Sequence, residues 1–324
     1  TLDMIGPAPQ LPATLGATVP KVNNADMKAW GFEVEVSWRD RIKDFNYGVK
    51  FVLSDDQRKV TRYPNEELNR NQWYAGRMDG LVWGYETVGI AKTDAEMEAH
   101  LASLPNGGQS QLGSKWAAGD IMYKDLNGDG KISSGDGTLN DLGDLKVVAN
   151  TQLRFKYGLT LDASWKGFDF SAFFQGVGKR DVVVGGPYFW GANGQGMWQA
   201  AAFKDHMDYF RPEDTESVFG PNVDAYYPRV IFGGGSSEGG KNTLTQSRYV
   251  QNGAYIRLKN LQLGYTLPST ITKKFAVNSL RVYVSGDNLW TGTKMRVFDP
   301  EVLGSTGDAG KAYPLARVWS VGQI

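Results

Sequence analysis

The sequence predicts an all-β fold of long antiparallel strands, each with one apolar and one polar face, of the kind that forms a transmembrane barrel. Three observations lead there. The first is strict alternation between Phe155 and Gln175. Phe155, Tyr157, Leu159, Leu161, Ala163 and Trp165 share one parity, and Lys156, Gly158, Thr160, Asp162 and Ser164 share the other. After Lys166-Gly167 the pattern resumes: Phe168, Phe170, Ala172 and Phe174 oppose Asp169, Ser171 and Gln175, with Phe173 the apolar exception. Period-two alternation marks a strand with one greasy and one wet face. The Lys-Gly pair between the arms marks a hairpin turn. The second observation is length. Each arm has about 10 residues, what a tilted strand needs to cross a bilayer, and aromatics near the arm ends fit interfacial girdles. The third is composition: 40 glycines and no cysteine in 324 residues. Many glycines suit an all-β chain rich in turns, and the lack of cysteine removes disulfides and thiolate chemistry. A large soluble β-sandwich is the competing reading of the hairpin alone.

The other elements follow in order. Residues 1–24 are Pro-rich and irregular. Gly31 to Trp38 alternates, with Phe32, Val34, Val36 and Trp38 against Glu33, Glu35, Ser37 and Arg39. Asp40–Asp44 reads as a turn, and Phe45, Tyr47, Val49, Phe51 and Leu53 continue on a return strand. Residues 56–92 resist assignment. Thr93-Asp-Ala-Glu96 is a capping box, which predicts a short helix over Met97–Leu104. Residues 178–245 form a long polar, Gly-rich and aromatic loop, with a helical stretch expected over Met197–Met207. Loops of this length are functional or disordered, and Tyr188, Phe189, Trp190, Trp198, Tyr209, Phe210, Tyr226 and Tyr227 argue for order. Ile256 and Leu258 lie on even positions but Leu261, Leu263, Tyr265 and Leu267 on odd ones. That switch requires a bulge near Lys259-Asn260. Pro268 ends this strand, Leu280 begins another, Asp299–Lys311 is a loop, and Tyr313–Ile324 is a last strand. About eight long strands result, with short turns at one end and long loops at the other, as in outer-membrane barrels.

Charge and hydropathy exclude other classes. Lys plus Arg and Asp plus Glu are 35 each, so nothing electrostatic favours nucleic acid. A mean hydropathy of −0.39 and no apolar run near ~20 residues argue against membrane helices. Thr1-Leu-Asp-Met-Ile has neither the basic start nor the apolar core of a signal peptide. For an exported protein, the true N-terminus is therefore expected upstream of Thr1.

One segment carries recognisable chemistry. Asp125-Leu-Asn127-Gly-Asp129-Gly130-Lys131-Ile-Ser133-Ser-Gly-Asp136 fits the calcium-loop template. Asp125, Asn127 and Asp129 place oxygens at positions 1, 3 and 5, Lys131 offers its carbonyl, and Ser133 acts directly or through water. Asp136 at position 12 is shorter than the usual Glu. The expected cofactor is one Ca²⁺, or Mg²⁺, with a tight turn held by Asx hydrogen bonds as the alternative. No helix pair flanks the loop, which argues against an EF-hand. Catalytic groupings are absent from the pattern: the two histidines, His100 and His206, lack metal-ligand spacing, and no carboxylate pair stands out. The expectation is no enzyme. Tyr188, Trp190 and Trp198 are the aromatics expected to stack on a ligand.

Several motifs together resemble the C-terminal barrel segment of SusC/RagA-type TonB-dependent outer-membrane transporters. They are Tyr255-Ile-Arg257-Leu-Lys259-Asn260-Leu-Gln-Leu-Gly264-Tyr265-Thr-Leu-Pro268, Leu280-Arg-Val-Tyr-Val-Ser-Gly-Asp-Asn288-Leu289, Asp299-Pro300-Glu301, and Tyr313-Pro314 with Arg317. The Asp125–Asp136 loop, Trp165-Lys-Gly167-Phe168-Asp-Phe170, Phe174-Gln175-Gly176, Gly31-Phe-Glu33 and Trp83-Gly84-Tyr85 fall in the family's order. Val148-Ala-Asn150-Thr-Gln-Leu-Arg154 departs from the usual Gly-Asn-x-x-Pro-Arg run, and Ile324 falls short of the aromatic-ended final strand. The resemblance implies residues 1–324 as part of an antiparallel barrel of about 22 strands, with long extracellular loops and with the plug and earlier strands outside this sequence. It implies import of a bulky nutrient across the outer membrane of a Gram-negative bacterium, an oligosaccharide first and a peptide second. The partners it implies are a SusD-like surface lipoprotein, the TonB complex, outer-membrane lipid, and a dimer of transporter–lipoprotein pairs. The rival reading is a soluble calcium-binding, carbohydrate-recognising β-protein.

Overall fold

The computed structural model describes residues 1–7, 14, 16, 20–193, 202–232, 237–304 and 313–323. In chain order the strands are β1 (Met4–Gly6), β2 (Val22–Ile42), β3 (Phe45–Arg62), β4 (Leu81–Tyr85), β5 (Thr87–Ile90), β6 (Ile121–Tyr123), β7 (Leu145–Asn150), β8 (Arg154–Trp165), β9 (Phe168–Lys179), β10 (Asp181–Val183), β11 (Val250–Asn252), β12 (Tyr255–Thr266), β13 (Arg281–Thr293) and β14 (Val318–Gln323). Eight of them form one antiparallel sheet in the order β1-β2-β3-β8-β9-β12-β13-β14. Among the described residues no pairing joins β14 back to β1 or β2, so the sheet is an open wall rather than a closed eight-stranded barrel.

Register explains why the alternation reads so cleanly. Ile42, Phe45, Trp165, Phe168, Tyr265 and Val282 form one continuous cross-strand row, and Trp38, Val49, Leu161, Ala172 and Leu261 another. A third row runs Val36, Phe51, Leu159, Phe174, Leu258 and Trp290. All lie on the same face. From Trp165 back to Tyr157 the belt covers about 27 Å along the strand, or roughly 20 Å along the bilayer normal at the usual tilt, close to the height of a lipid-facing band. Trp38 is 63% exposed, Trp165 50% and Leu263 54%. No second sheet covers this face among the described residues, which rejects the sandwich reading: a soluble protein does not leave so large an apolar face in water.

The opposite face is wet and ion-paired. Lys50 meets Glu35 at 2.8 Å, Lys156 meets Asp56 at 2.9 Å and Arg281 meets Asp169 at 2.5 Å. The bulge predicted near Lys259-Asn260 is present: register shifts between Leu258 and Asn260 against both neighbours. The extra residue keeps Leu258 and Leu261 on the apolar face although their parities differ.

At one end two of the three connections are two-residue turns, while the β12–β13 connection over residues 267–280 is longer than the short turn expected and carries helical turns over Ser269–Thr272 and Lys273–Phe275. Lys43-Asp44 and Lys166-Gly167 join two hairpins, and Lys43, Lys166 and Gly167 all take positive φ, as tight hairpin turns demand. The predicted Asp40–Asp44 turn is thus too long, because β2 and β3 keep pairing down to Ile42 and Phe45. Both are also longer than their alternation: β2 has 21 residues and β3 has 18. The last strand is shorter than expected, starting at Val318 rather than Tyr313, because Tyr313–Arg317 makes no ladder.

At the other end the long loops fold on each other into a cap. Small sheets β4–β7, β5–β6 and β10–β11 frame it. Ile90, Ile121, Tyr123, Ile132, Val182, Phe189, Trp190, Phe210, Tyr227 and Tyr249 pack in one core. Helix α1 (Asp94–Ala102) starts as predicted: the Thr93 hydroxyl accepts from the Glu96 amide at 3.1 Å. The reciprocal arm lands one residue early, on the Lys92 amide at 2.7 Å. Over Met197–Met207, residues 194–201 lie outside the described set, and Lys204–Met207 is a single 3₁₀ turn.

Candidate functional site

The wall and the cap meet at an ionic strap. Arg257 projects from β12 on the polar face and is 2% exposed. Its Nη2 donates to Asp299 Oδ1 at 2.5 Å, and its Nη1 stands 3.1 Å from Glu301 Oε2. Lys259, two residues along the strand, lies on the same side, and its Nζ donates to Glu301 Oε1 at 2.9 Å. Asp299 Oδ1 also accepts from the Glu301 amide at 3.0 Å, which folds the Asp-Pro-Glu segment into a turn. Arg180, just past β9, seals the segment from the far side by donating to the carbonyls of Pro300, Leu303 and Gly304 at 3.0, 2.6 and 2.8 Å. Two motifs about 40 residues apart in sequence thus form one interlock.

Beside the strap lies a cavity of about 670 Å³ on the polar face, lined by Val52, Lys156, Phe173, Gln175, Arg180 and Glu301 among others. Apolar walls with a few convergent charged groups are the usual make-up of a ligand site. Phe173, the exception to the alternation, lines it: pairing with Thr160 places its ring on the polar face.

The cap is pinned by a second ionic cluster that sequence reasoning missed. Lys241 and Asp120 are fully buried and 3.0 Å apart. Lys241 Nζ also donates to Glu238 Oε2 at 3.1 Å and to the Ser114 carbonyl at 2.9 Å, and lies 4.5 Å from the Trp116 ring centre. Asp120 accepts from Arg229 at 2.7 and 2.8 Å, from Asn242 at 2.8 Å and from the Ala117 amide at 3.0 Å. Every residue involved looks like an ordinary surface residue in sequence, and only the loop packing buries them.

The Asp125–Asp136 segment is a tight turn closed by its own amides. Asp125 accepts from Gly128 and Gly130 at 2.6 and 2.8 Å, Asn127 from Asp129 at 3.0 Å, and Asp129 from Lys131 at 3.1 Å. Asp136 turns away to the Thr138 amide at 2.7 Å. The residue that closes the turn is Asp144, which the template does not include. It is fully buried and accepts from Leu126 and Ser133, both at 2.7 Å. Burial, with help from Asp125 and Asp129, holds its carboxyl above the usual range. Among the described residues, no three carboxylate or imidazole side chains stand at ion-holding distances.

Two of the three predicted ligand aromatics, Tyr188 and Trp190, lie among the described residues. Trp190 is 6% exposed and packs edge-on against Tyr249 at 4.6 Å, inside the cap core. Tyr188 is at the surface, stacked on Phe203 at 5.8 Å. Trp198 lies outside the described residues. Both histidines are structural: His100 bonds Gln109 at 3.2 Å, and His206 bonds the Phe203 amide and the Phe189 carbonyl, both at 3.1 Å.

An open antiparallel wall with a lipid-height apolar belt, an ion-paired inner face and a loop-built cap defines a segment of a large transmembrane β-barrel. No family model matches the chain. Curated relatives do. TonB-dependent receptor P3 of Formosa agariphila is 28% identical over 315 residues, covering 93% of this chain and 28% of the receptor. TonB-dependent receptor P26 of the same organism is 26% identical over 311 residues, covering 89% of this chain and 28% of that one. The solved RagAB peptide transporter superposes with a TM-score of 0.64 at 22% identity, covering 99% of this chain and 32% of its own. The RagAB peptide importer in its closed-closed state matches at 0.64 and 21% identity. The chain therefore spans about a third or less of the proteins it matches. Relatives and fold together bear out the resemblance to SusC/RagA-type TonB-dependent transporters. The curated relatives are named as receptors and the solved neighbours as a peptide transporter.

Proposed function

We propose that this chain is the C-terminal barrel segment of a TonB-energised importer of the Gram-negative outer membrane, which carries a bulky nutrient past the cavity beside the Asp299–Glu301 strap. The observation that carries this reading is the two-faced wall: one face suits hydrocarbon, the other a water-filled lumen. Exposed backbone edges are untenable in lipid, so β2 and β14 are expected to pair with further strands of the same barrel. A SusD-like lipoprotein is the expected lid, and the exposed aromatic surface around Tyr188 and Phe203 is the part of the cap offered to it. A dimer of transporter–lipoprotein pairs is the expected assembly. The cargo is an oligosaccharide or a peptide; the charged groups at the cavity, Lys156, Arg180 and Glu301, suit hydrogen-bonding cargo of either kind. Uptake by cells carrying the whole transporter should stop when a protonophore collapses the proton gradient, and the protein should fractionate with the outer membrane. Recovery in the soluble fraction would sink the proposal and favour the soluble carbohydrate-binding alternative.

We propose also that the Asp125 turn takes one hard cation, Ca²⁺ before Mg²⁺, in a stabilising role. The support is chemical: Asp125, Asp129 and buried Asp144 crowd negative charge that a divalent ion would neutralise. Binding would draw Asp125 and Asp129 away from their amides. A calorimetric titration with Ca²⁺ should give measurable heat, and chelator should lower the melting temperature. No heat and no shift would leave a purely hydrogen-bonded turn.

A further inference from the structure

The apolar belt is notched at one place on its cap-side rim. Belt-face positions there are Gly176 on β9, Ile256 on β12 and Gly292 on β13, which register as neighbours, with Gly178 and Ala254 next to them along the chain. Two rings stand close beside these glycines. A Cβ at Gly176 would come within 2.4 Å of the Tyr157 ring, and one at Gly292 within 2.9 Å of the Trp290 ring. The result is a groove of about 370 Å³ between Tyr157 and Ile256, with Asn252, Thr293 and Lys294 at its upper end. Thr293 turns its hydroxyl inward to the Ala254 carbonyl at 3.0 Å, and Asn252 caps the Ala254 amide at 2.9 Å. Lys294 is exposed and makes no ion pair among the described residues. At the opposite rim Phe45, Trp165, Phe168 and Tyr265 stand side by side in one register row, with the Phe168 and Tyr265 rings 4.5 Å apart.

We infer that this groove binds one phosphorylated lipid, its acyl chain lying on the glycine floor and its phosphate meeting Lys294. A slot in hydrocarbon that ends in a cation unpaired among the described residues is complementary to such a molecule, since a basic side chain near the membrane surface attracts anionic headgroups. The groove sits at the long-loop end of the wall, the outward end in such barrels. The occupant is accordingly lipid A, the phosphorylated glycolipid of the external leaflet. The inference rests on the membrane reading above.

The test is native mass spectrometry of the purified full-length transporter with added lipid A, phosphatidylglycerol or phosphatidylcholine. Wild type should retain one lipid A that survives gas-phase activation, and Lys294→Ala should lose it. Lys166→Ala removes a lysine that is also exposed, at the other rim, and should retain it. Gly292→Val, which fills the groove, should also lose it; if that variant misfolds, the lysine pair still decides. Equal retention by Lys294→Ala, or equal retention of phosphatidylcholine, overturns the site. Tighter retention of phosphatidylglycerol than of lipid A overturns the assigned occupant. Uptake assayed on the same wild-type preparation separates the outcomes: a transporter that imports but holds no lipid here loses only this inference, not the transport reading.

Discussion

Lys241→Met should destabilise the cap by about 3–5 kcal/mol, because removing one member of a buried ion pair leaves its partner charged and unmatched. Asp120 is that partner, with no exposure of its own. Arg229 and Asn242 still reach it, which places the expected cost at the lower end of the range. The comparison is Lys92→Met. Lys92 and Asp224 also form a short ion pair, but their side chains are 54% and 77% exposed, so this loss should fall within about 1 kcal/mol. Hydrogen exchange of cap amides around Ile121 and Tyr123 reads both. Equal effects would mean that the buried cluster is not what pins the loops. The cluster also gives the cap an acid limit. Hydrogen bonds from Ser114, then Lys241, pull Glu238 from the ordinary 4.5 down to about 2. A carboxyl depressed on folding contributes its stability fully above its unfolded value and loses it as pH falls through its native one. Cap stability should therefore decline between about pH 4.5 and pH 2, and Glu238→Gln should flatten that limb. Asp144 has the opposite sign: its raised carboxyl favours the folded state most at low pH, and that contribution is lost as pH rises through its native value.

Sequence made the wall legible because a strand in a barrel meets two media, and alternation records both. Even the bulge at Lys259 showed itself as a parity switch at Leu261. The cap was illegible for the same physical reason in reverse. Its residues meet neither lipid nor a repeating lattice, so no period marks Phe189, Trp190 and Tyr249 as core. Trp190 looked like a ligand platform because a loop tryptophan carries no sign of what will cover it. Asp136 was expected in the metal set by spacing alone. The chain turns it outward to Thr138 and brings Asp144 in from outside the template. A better signal was a polar residue followed at once by the apolar start of a strand, Asp144-Leu145, which places a carboxylate at a strand entrance where free amides need an acceptor.

The Asp299–Glu301 strap gives the last expectation. Arg257→Ala removes the guanidinium from between two carboxylates whose side chains are only 10% and 20% exposed. Lys259 still reaches Glu301, but Asp299 is left with backbone donors alone, the Glu301 amide and the Leu315 amide at 3.3 Å. The cost should again be about 3–5 kcal/mol, paid locally: residues 299–304 should detach from β12, exchange their amides faster and become open to proteolysis. Arg257→Lys should recover only part of this, because a point charge cannot span both carboxylates as a planar fork does. The pair can be separated from the general loss of a large side chain by a double-mutant cycle. Arg257→Ala and Asp299→Ala should each be severe, and the combined variant should be milder than their sum by more than 1 kcal/mol, since the second change removes the charge the first exposed. Strict additivity would show that Arg257 holds the strap by packing rather than by charge. The strap also walls the cavity, so its release should weaken cargo binding in the whole transporter while leaving the wall's own strand pairing intact.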